Sequence, residues 1–416
     1  MSRIFLPISK SIANRLLILQ AIHGDGLLTV SCDMPDDVQL LHRALTTLHN
    51  ASNSSQSERP IGGTPSYSPS GRPTAAQAAS CSSVELGNCG TAMRFLTAYC
   101  AQLEGQITIL DGVERMRHRP IGQLVDALRE IGADIEYLGE EGFPPLRIKG
   151  CVLDKHRIVT IHNPQSTQFV SALLLIGANV QTDSTSPYIT LTREMIKNME
   201  QGTKNKDKLL TTDQTQVTNL GSLLLAPYSE IERDWSSAAF WYEYVALHGG
   251  EVELPGLYKD SLQGDKVVAD IFAHLGVHTT YTAEGIILSP HRLIASSPIA
   301  YSEASNSPLS GRPIAAQAAS HSKILTQDFG SCPDLYPAVA LTCERLGIEL
   351  RATGTDSLPL KESDRLRAVR EHSTEHDHRM AMALLIAGYE VDDTACINKS
   401  YPQFFEQWKT IVRSHA

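Results

Sequence analysis

Apolar residues recur at intervals of three and four in several segments, each of which opens on a polar or glycine-rich turn. In residues 8–26 the side chains of Ile12, Leu16 and Leu19 fall on one face, and Gly24 follows the last turn. This spacing predicts an amphipathic helix. The same pattern predicts four more helices, in the segments that begin at residues 87, 165, 234 and 377.

Short strand-like runs follow the predicted helices, such as QITIL at residues 106–110 and EVEL at residues 251–254. Helices that alternate with strands at this spacing indicate an α/β fold made of repeated units. At 416 residues the chain is longer than one hydrophobic core usually supports, so we expect roughly two or three domains.

Three polar stretches interrupt this pattern. Residues 49–83 and 296–322 are rich in Ser, Pro, Gly and Ala, and residues 200–216 are also polar, so all three are predicted to be exposed loops. The first two contain SGRPTAAQAAS (70–80) and SGRPIAAQAAS (310–320), which differ at one position. Because the sequences around the two copies do not repeat, we interpret them as one element inserted twice. We expect activity to survive removal of either loop.

The composition is that of an acidic protein, with 36 Lys and Arg against 46 Asp and Glu and a net charge of −10. This balance argues against general binding to nucleic acid or to anionic membranes. The eight cysteines form no CxxC pair or zinc spacing and are interpreted as reduced thiols of a cytosolic protein. The N-terminus lacks the apolar core of a signal peptide, and no apolar stretch approaches the ~18 residues of a membrane span.

Basic residues stand at the starts of predicted helices, where unpaired backbone N–H groups and the helix dipole favour anions. Lys10, Ser11 and Arg15 open the first helix, and Gly90 lies in the glycine-rich turn GNCGTAMR at residues 87–94. That turn matches neither GxxxxGK[ST] nor GxGxxG, so a nucleotide site is not supported. Solvated helix ends are the alternative interpretation of both segments.

A third group of charges lies nearer the C-terminus. The segment KESDR places Glu362 between Lys361 and Arg365, and Arg379 stands in the first turn of a helix, where the dipole disfavours a cation. Weak surface ion pairs are the alternative interpretation. Basic residues at helix starts, with isolated carboxylates, predict binding of small phosphorylated or carboxylated substrates. Asp or Glu would then supply acid–base catalysis.

Ten short motifs follow one another from residue 6 to residue 405: LPISKSIANR, GNCGTAMRFL, RMRHRPIGQLVDAL, STQFVSALL, SPYITLT, DWSSA, CPDLYPAVA, KESDRL, DHRMAM and NKSYPQFF. In sequence and order they closely resemble the 5-enolpyruvylshikimate-3-phosphate synthase family. The resemblance implies a two-domain inside-out α/β barrel of repeated βαβαββ units, with domains at residues 9–233 and at residues 1–8 plus 234–416. The implied activity belongs to the shikimate pathway, which leads to chorismate and aromatic amino acids. It transfers the enolpyruvyl group of phosphoenolpyruvate to the 5-hydroxyl of shikimate 3-phosphate and releases phosphate, without a metal or organic cofactor.

The resemblance also assigns roles to residues that match the family's motifs. The implied catalytic residues are Asp334, which takes the proton of the attacking hydroxyl, Glu362, which acts on the methylene group, and Lys10. The residues implied to bind phosphoenolpyruvate are Lys10, Gly90, Arg119, Gln168, Arg365, Arg379 and Lys399. Those implied to bind shikimate 3-phosphate are Lys10, Ser11, Arg15, Ser166, Thr167, Gln168, Thr185, Tyr188, Asp334 and Lys361. We further expect a cytoplasmic monomer with these two small-molecule substrates, no nucleic-acid or membrane partner, and inhibition by glyphosate.

Several features depart from the family's pattern. Thr167 replaces a serine, Phe95 stands where many members have proline, and Ser357 occupies a position where an asparagine contact is common. Only residues 367–376 precede the DHR motif, where the family completes a helix and adds two strands. The last repeated unit is therefore predicted to be shortened and to leave an unpaired sheet edge. The N-terminus is expected to lack much of the first strand.

Two alternatives stay open. The related transferase that acts on UDP-N-acetylglucosamine begins with a Lys-Asn pair, whereas SKSIANR and KESDR favour the shikimate enzyme. A decayed, non-catalytic anion-binding homologue is the second alternative, because a shortened last unit would destabilise the chain. The charged motif residues are all present, which argues against long decay.

Overall fold

The chain divides into two compact units in the computed structural model, which describes residues 1–24, 27, 29–31, 33–57, 80–205, 231–291 and 324–415. The N-terminal unit comprises Ser11–Cys32 and Asp37–Ile231. The C-terminal unit comprises Met1–Lys10, Asp33–Asp36 and Glu232–Ala416, so that both ends of the chain belong to it. The domain limits implied by the family resemblance stay a prediction.

Helices and strands alternate along most of the described chain. The helices are α1 (Lys10–His23), α2 (Asp36–Ser57), α3 (Gly90–Ala101), α4 (Glu114–Arg117), α5 (Gly122–Glu130), α6 (Thr167–Leu175), α7 (Pro187–Asn205), α8 (Trp235–His248), α9 (Val268–Ala273), α10 (Tyr336–Leu346), α11 (Arg365–Glu371), α12 (His378–Ile386) and α13 (Phe404–His415). The strands are β1 (Ser2–Arg3), β2 (Ser80–Glu85), β3 (Gln106–Asp111), β4 (Asp134–Tyr137), β5 (Leu146–Lys149), β6 (Ile158–Ile161), β7 (Asn179–Thr182), β8 (Val252–Pro255), β9 (Val277–Tyr281), β10 (Gly285–Pro290), β11 (Ile324–Asp328) and β12 (Glu349–Thr353).

The N-terminal unit packs buried helices against two small sheets. One sheet has the order β2-β3-β5-β4, in which β2 and β3 are parallel and the other pairs are antiparallel, and the second pairs β6 with β7 in parallel. Helix α3 is buried along almost its whole length, and it packs against α5 and α6. A helix that is apolar on all sides belongs inside a core, which explains the run MRFLTAYCA.

The C-terminal unit repeats this arrangement. Its four-stranded sheet has the order β1-β8-β10-β9, with β1 parallel to β8, and a separate sheet pairs β11 with β12 in parallel. Helix α8 is buried at every position from Trp235 to Val245, and it packs against α10 and α12. Both units therefore place helices inside, and the predicted α/β fold class is confirmed.

The five helices predicted from apolar spacing are confirmed as α1, α3, α6, α8 and α12. Strands β3 and β8 confirm the strand-like runs that were predicted after α3 and α8. The strand-like run after α12, at residues 389–391, is not a strand, since no strand among the described residues pairs with it.

The predicted loop at residues 49–83 is wrong at both ends. Helix α2 continues to Ser57, and the buried side chains of Val38, Leu41 and Leu45 anchor its earlier turns. Strand β2 already begins at Ser80, where it pairs with β3. The predicted loop at 200–216 likewise begins inside α7. Residues 58–79, 206–230 and 292–323 lie outside the described residues, and with them nearly all of both SGRP copies.

The short connection between α11 and α12 crosses residues 372–377 without a strand. His372, Glu375 and His376 adopt left-handed backbone conformations there, with φ of 50°, 44° and 59°. Such conformations are uncommon for residues with a side chain, so neighbouring contacts must hold them. Two of these contacts are His376 Nδ1 to Asp393 Oδ2 at 2.7 Å and Arg367 Nε to Glu375 Oε1 at 2.9 Å. The prediction of a shortened last unit is confirmed.

Candidate functional site

Three helix starts converge on one group of charged side chains in the C-terminal unit. Asp334 lies in the single turn of 3₁₀-helix that precedes α10, Arg365 is the first residue of α11, and Arg379 is the second residue of α12. Asp364 and Asp377 cap α11 and α12 through backbone N–H groups. The local sequence thus places two arginines in first turns, where each needs a carboxylate or an anionic ligand.

We call this group the Asp334 cluster; it consists of Asp334, Lys361, Glu362, Arg365, Arg379 and Lys399. Asp334 Oδ1 accepts from Arg365 Nη1 at 2.7 Å, and its Oδ2 accepts from Arg379 Nη2 at 2.8 Å. Lys361 Nζ lies 3.5 Å from Asp334 Oδ1. Glu362 accepts from Arg365 Nη2 at 3.1 Å and from Lys399 Nζ at 2.9 Å. The KESDR and DHR motifs are therefore joined around one carboxylate.

The charge of Asp334 is fixed by these neighbours. Burial raises the pKa of its carboxyl, but Arg379, Lys361, Arg365 and Lys10 together outweigh burial and hold the pKa well below its usual range. Asp334 is therefore ionised at neutral pH, as a general base must be. Its side chain is 23% exposed, so a ligand can reach it.

Asp377 is a residue of this site that the sequence interpretation missed. It is fully buried, and its Oδ2 accepts from Arg365 Nε at 2.8 Å and from Ser363 Oγ at 3.1 Å. Its Oδ1 accepts the backbone N–H of Arg379 at 2.9 Å. One carboxylate thus fixes both arginines, one by its side chain and one by its backbone. The capping position before an apolar helix was visible in the sequence, but the contact with Arg365 was not.

The N-terminal unit contains a second basic group, which we call the Gly90 cluster; it consists of Gly90, Thr91, Arg94, Arg119 and Gln168. A Cβ atom built on Gly90 would lie 2.6 Å from Arg119 Nη2 and nearer still to Arg94 Nη1. Both guanidinium groups are therefore packed directly against the glycine, and Arg94 was not predicted as a site residue. The amide of Gln168 donates to Thr91 Oγ1 at 2.7 Å.

The guanidinium of Arg119 keeps donors for a ligand. Arg119 is 7% exposed, and its Nη1 donates to the backbone and side-chain oxygens of Asn88 at 3.3 and 3.4 Å. Its Nε has no hydrogen-bond partner among the described residues. Buried N–H groups of a cation normally have acceptors, so this arrangement suits an anionic ligand.

Arg15 is only 3% exposed and points into the N-terminal unit. Its Nε donates to Thr192 Oγ1 at 2.7 Å and its Nη2 to Ser171 Oγ at 3.2 Å, which ties α1 to α7 and α6. Its guanidinium also stacks on Phe95, at 5.4 Å from the ring centroid. Burial lowers the pKa of Arg15 to about 10, partly offset by Tyr188. Phe95, noted as a departure from the family, here supports the arginine.

The remaining residues implied to bind shikimate 3-phosphate lie at helix starts. Ser166 caps α6 by accepting the backbone N–H of Gln168, and Thr167 is the first residue of that helix. Ser186 accepts from the backbone N–H of Tyr188 at the start of α7, whereas Thr185 is exposed. Lys10 and Ser11 open α1. The roles assigned to all these residues stay predictions.

Two features are absent from the part of the chain that the structure describes. No helix among them is long and apolar enough to cross a membrane. No group of three or more His, Cys, Asp or Glu side chains in the described part of the chain is arranged to hold a metal ion.

The fold and the two arginine clusters define an α/β protein that is equipped to bind small anionic molecules. Residues 2–408 match the family model of EPSP synthase (3-phosphoshikimate 1-carboxyvinyltransferase). The chain belongs to the EPSP synthase family.

Relatives and solved structures agree with this membership. The chain is 32% identical to the 3-phosphoshikimate 1-carboxyvinyltransferase of Bacteroides fragilis strain YCH46, over 96% of this chain and 92% of the relative. It is 31% identical to the protein of the same name from Photobacterium damsela, over 98% and 96%. An EPSP synthase structure from Acinetobacter baumannii has a TM-score of 0.58 with 18% identity and covers 98% of this chain and 95% of that one. This structural likeness confirms the enolpyruvyl transferase fold.

Proposed function

We propose that this protein transfers the enolpyruvyl group of phosphoenolpyruvate to the 5-hydroxyl of shikimate 3-phosphate and releases phosphate. The observation that carries the proposal is the Asp334 cluster, in which an ionised carboxylate lies between two buried arginines. The arginines suit a phosphate or carboxylate, and the carboxylate suits removal of a hydroxyl proton. Membership of the EPSP synthase family supports the same reaction, and no feature of the described residues favours a UDP-sugar or a purely non-catalytic role.

In the proposed reaction an acid first protonates the methylene carbon of phosphoenolpyruvate, which leaves its C2 cationic. The 5-hydroxyl oxygen attacks C2 and gives its proton to Asp334. The tetrahedral adduct then loses phosphate, and the methyl group returns a proton so that the carbon–carbon double bond forms again. Glu362 and Lys10 are the proposed partners for the protons at carbon. Glu362 is held for this role by Arg365 and Lys399.

The proposed substrate contacts follow the chemistry of each group. Phosphoenolpyruvate is assigned to cations and amides that suit its phosphate and carboxylate: Lys10, Gly90, Arg119, Gln168, Arg365, Arg379 and Lys399. Shikimate 3-phosphate is assigned to hydroxyls, amides and cations: Lys10, Ser11, Arg15, Ser166, Thr167, Gln168, Thr185, Tyr188, Asp334 and Lys361. Arg15 would take part through the helix starts it fixes as much as by direct contact, because its donors already have partners.

Phosphate release tests the proposed reaction. We expect release from phosphoenolpyruvate only when shikimate 3-phosphate is also present. Asp334→Ala is expected to lower the turnover rate by about 10²–10⁴-fold, the usual contribution of a general base. The matched control is Asp260→Ala, which removes an exposed carboxylate of the same unit. Wild-type protein that melts cooperatively but releases no phosphate with both substrates would overturn the proposal.

We also propose that the enzyme works in the cytoplasm as a monomer and is inhibited by glyphosate in competition with phosphoenolpyruvate. Gly90 supports this inhibition, since any side chain at this position would collide with the guanidinium groups of Arg94 and Arg119. The measurement is the KM for phosphoenolpyruvate at increasing glyphosate concentration. A KM that does not change would contradict the competition, and sedimentation at assay concentration tests the monomer.

A further inference from the structure

The carboxylate of Asp334 accepts hydrogen bonds from two arginines, as an anionic ligand would. Its two oxygens bridge Arg365 Nη1 and Arg379 Nη2, at 2.7 and 2.8 Å. A substrate carboxylate or phosphate would make the same charge-assisted hydrogen bonds with the same N–H groups. The protein's own carboxylate and an incoming anion therefore compete for these donors.

The two arginines differ in how firmly they are held. Arg365 also donates to Asp377 Oδ2 at 2.8 Å and to Glu362 Oε2 at 3.1 Å, so it stays fixed when Asp334 leaves. Arg379 has Asp334 as its ion-pair partner, and its Nε and Nη1 have no hydrogen-bond partner among the described residues. Arg379 is 1% exposed, so these buried donors gain acceptors when an anion binds.

We propose that Asp334 is an internal competitor for the anionic substrate, which displaces it from Arg365 and Arg379 and so releases the carboxylate to act as a base. This inference rests on the proposed function, because it concerns the order of events at that same site. A carboxylate with two strong hydrogen bonds to guanidinium groups is a poor proton acceptor. Asp334 consequently takes the hydroxyl proton only after phosphoenolpyruvate has bound.

The first test is the affinity for inorganic phosphate, measured by calorimetry without the second substrate. Asp334→Asn keeps the shape of the side chain but removes its charge, so phosphate meets no competitor. We expect binding to tighten by about tenfold or more, as the loss of a charged hydrogen-bond competitor implies. Asp260→Asn, which removes the same charge at an exposed position, is expected to leave the affinity unchanged.

A double variant shows where the tighter binding occurs. Arg379→Gln combined with Asp334→Asn is expected to abolish the gain, because the gain depends on the donors of Arg379. Phosphate affinity of Asp334→Asn equal to or weaker than that of the wild type would overturn the proposal. So would a gain that survives in the double variant. Asp334→Ser replaces Asp334→Asn in the same comparison if the latter gives no cooperative melt.

A measurement on the unaltered chain keeps the inference testable without any variant. With aspartate carboxyl carbons labelled with carbon-13, saturation with phosphate is expected to shift one carboxyl resonance as Asp334 leaves its two arginines. A spectrum that phosphate leaves unmoved would overturn the proposal. Turnover separates the two proposals: an active wild type whose Asp334→Asn variant binds phosphate no tighter refutes only this inference. An inactive wild type whose variant binds more tightly refutes only the proposed reaction.

Discussion

Gly90→Ala is the substitution whose effect the geometry defines most closely. Gly90 begins α3, and its backbone conformation is open to any residue, so the backbone can accept alanine. The added Cβ would lie 2.6 Å from Arg119 Nη2 and nearer still to Arg94 Nη1, both of which are buried. The clash therefore falls on guanidinium groups that have little room to withdraw.

The size of the effect follows from the distance. Ordinary contact begins near 3.4 Å, so the Arg119 guanidinium has to retreat by about 1 Å. A shift of this size breaks a charge-assisted hydrogen bond to a bound anion, which is worth about 1.5–3 kcal/mol. We therefore expect the KM for phosphoenolpyruvate to rise about 10- to 100-fold. The KM for shikimate 3-phosphate is expected to change much less.

Steady-state kinetics with each substrate varied in turn measures the KM for phosphoenolpyruvate and the KM for shikimate 3-phosphate separately. The matched control is Gly122→Ala, which also replaces the first residue of a helix, α5, in the same unit. Its Cβ would meet Gly142 Cα at 3.5 Å, an ordinary contact, so its kinetics are expected to match the wild type. An unchanged KM for phosphoenolpyruvate in Gly90→Ala, or an equal rise in Gly122→Ala, would refute the reasoning.

Three further predictions concern buried or paired carboxylates. Asp377→Asn breaks the buried pair with Arg365, so the free energy of unfolding measured in urea is expected to fall by about 3 kcal/mol. The KM for phosphoenolpyruvate is expected to rise, and a change in the rate constant alone would contradict this. Burial raises the pKa of Glu243 well above its usual range, and its oxygens have no hydrogen-bond partner among the described residues. The contribution of Glu243 to stability therefore falls as pH rises above its unfolded-state pKa of about 4.3. Glu243→Met is expected to gain stability at pH 8 but little at pH 4, and equal gains would contradict this. The hydrogen bond to Asp393 raises the pKa of His376, so its stabilisation is present below about pH 6.5 and is lost above the raised pKa. Asp393→Asn is accordingly expected to lower the melting temperature at pH 5.5 and not at pH 9, and an equal loss at both would contradict the pairing.

The sequence predicted five of the described helices because each combines regularly spaced apolar residues with a recognisable start. It predicted most of the Asp334 cluster because KESDR and DHR bring several charges close together along the chain. The polar loop at 49–83 was placed wrongly because a polar composition does not distinguish the end of a helix, such as that of α2, from a loop. Composition could not show that earlier turns of the same helix are buried.

The parts of the site that the sequence did not predict depend on contacts between residues that are distant along the chain. Arg94 was visible as part of GNCGTAMR, but only packing shows that its guanidinium lies against Gly90. Asp377 was visible as a helix cap, but its bond to Arg365 depends on how residues 372–377 turn. Phe95 was noted as unusual, and its stacking under Arg15 gives that residue a physical role.

The pairing of β1 with β8 has a consequence for synthesis of the chain. Ser2 lies beside Val252 in the sheet, and the backbone oxygen of Phe5 accepts a hydrogen bond from Gln407 Nε2 at 3.0 Å. The N-terminal unit can fold while translation continues, because its residues are all made before Glu232. The first strand, by contrast, has to wait for partners made much later. The residues of β1 are therefore synthesised long before β8 and reach their final place only after it.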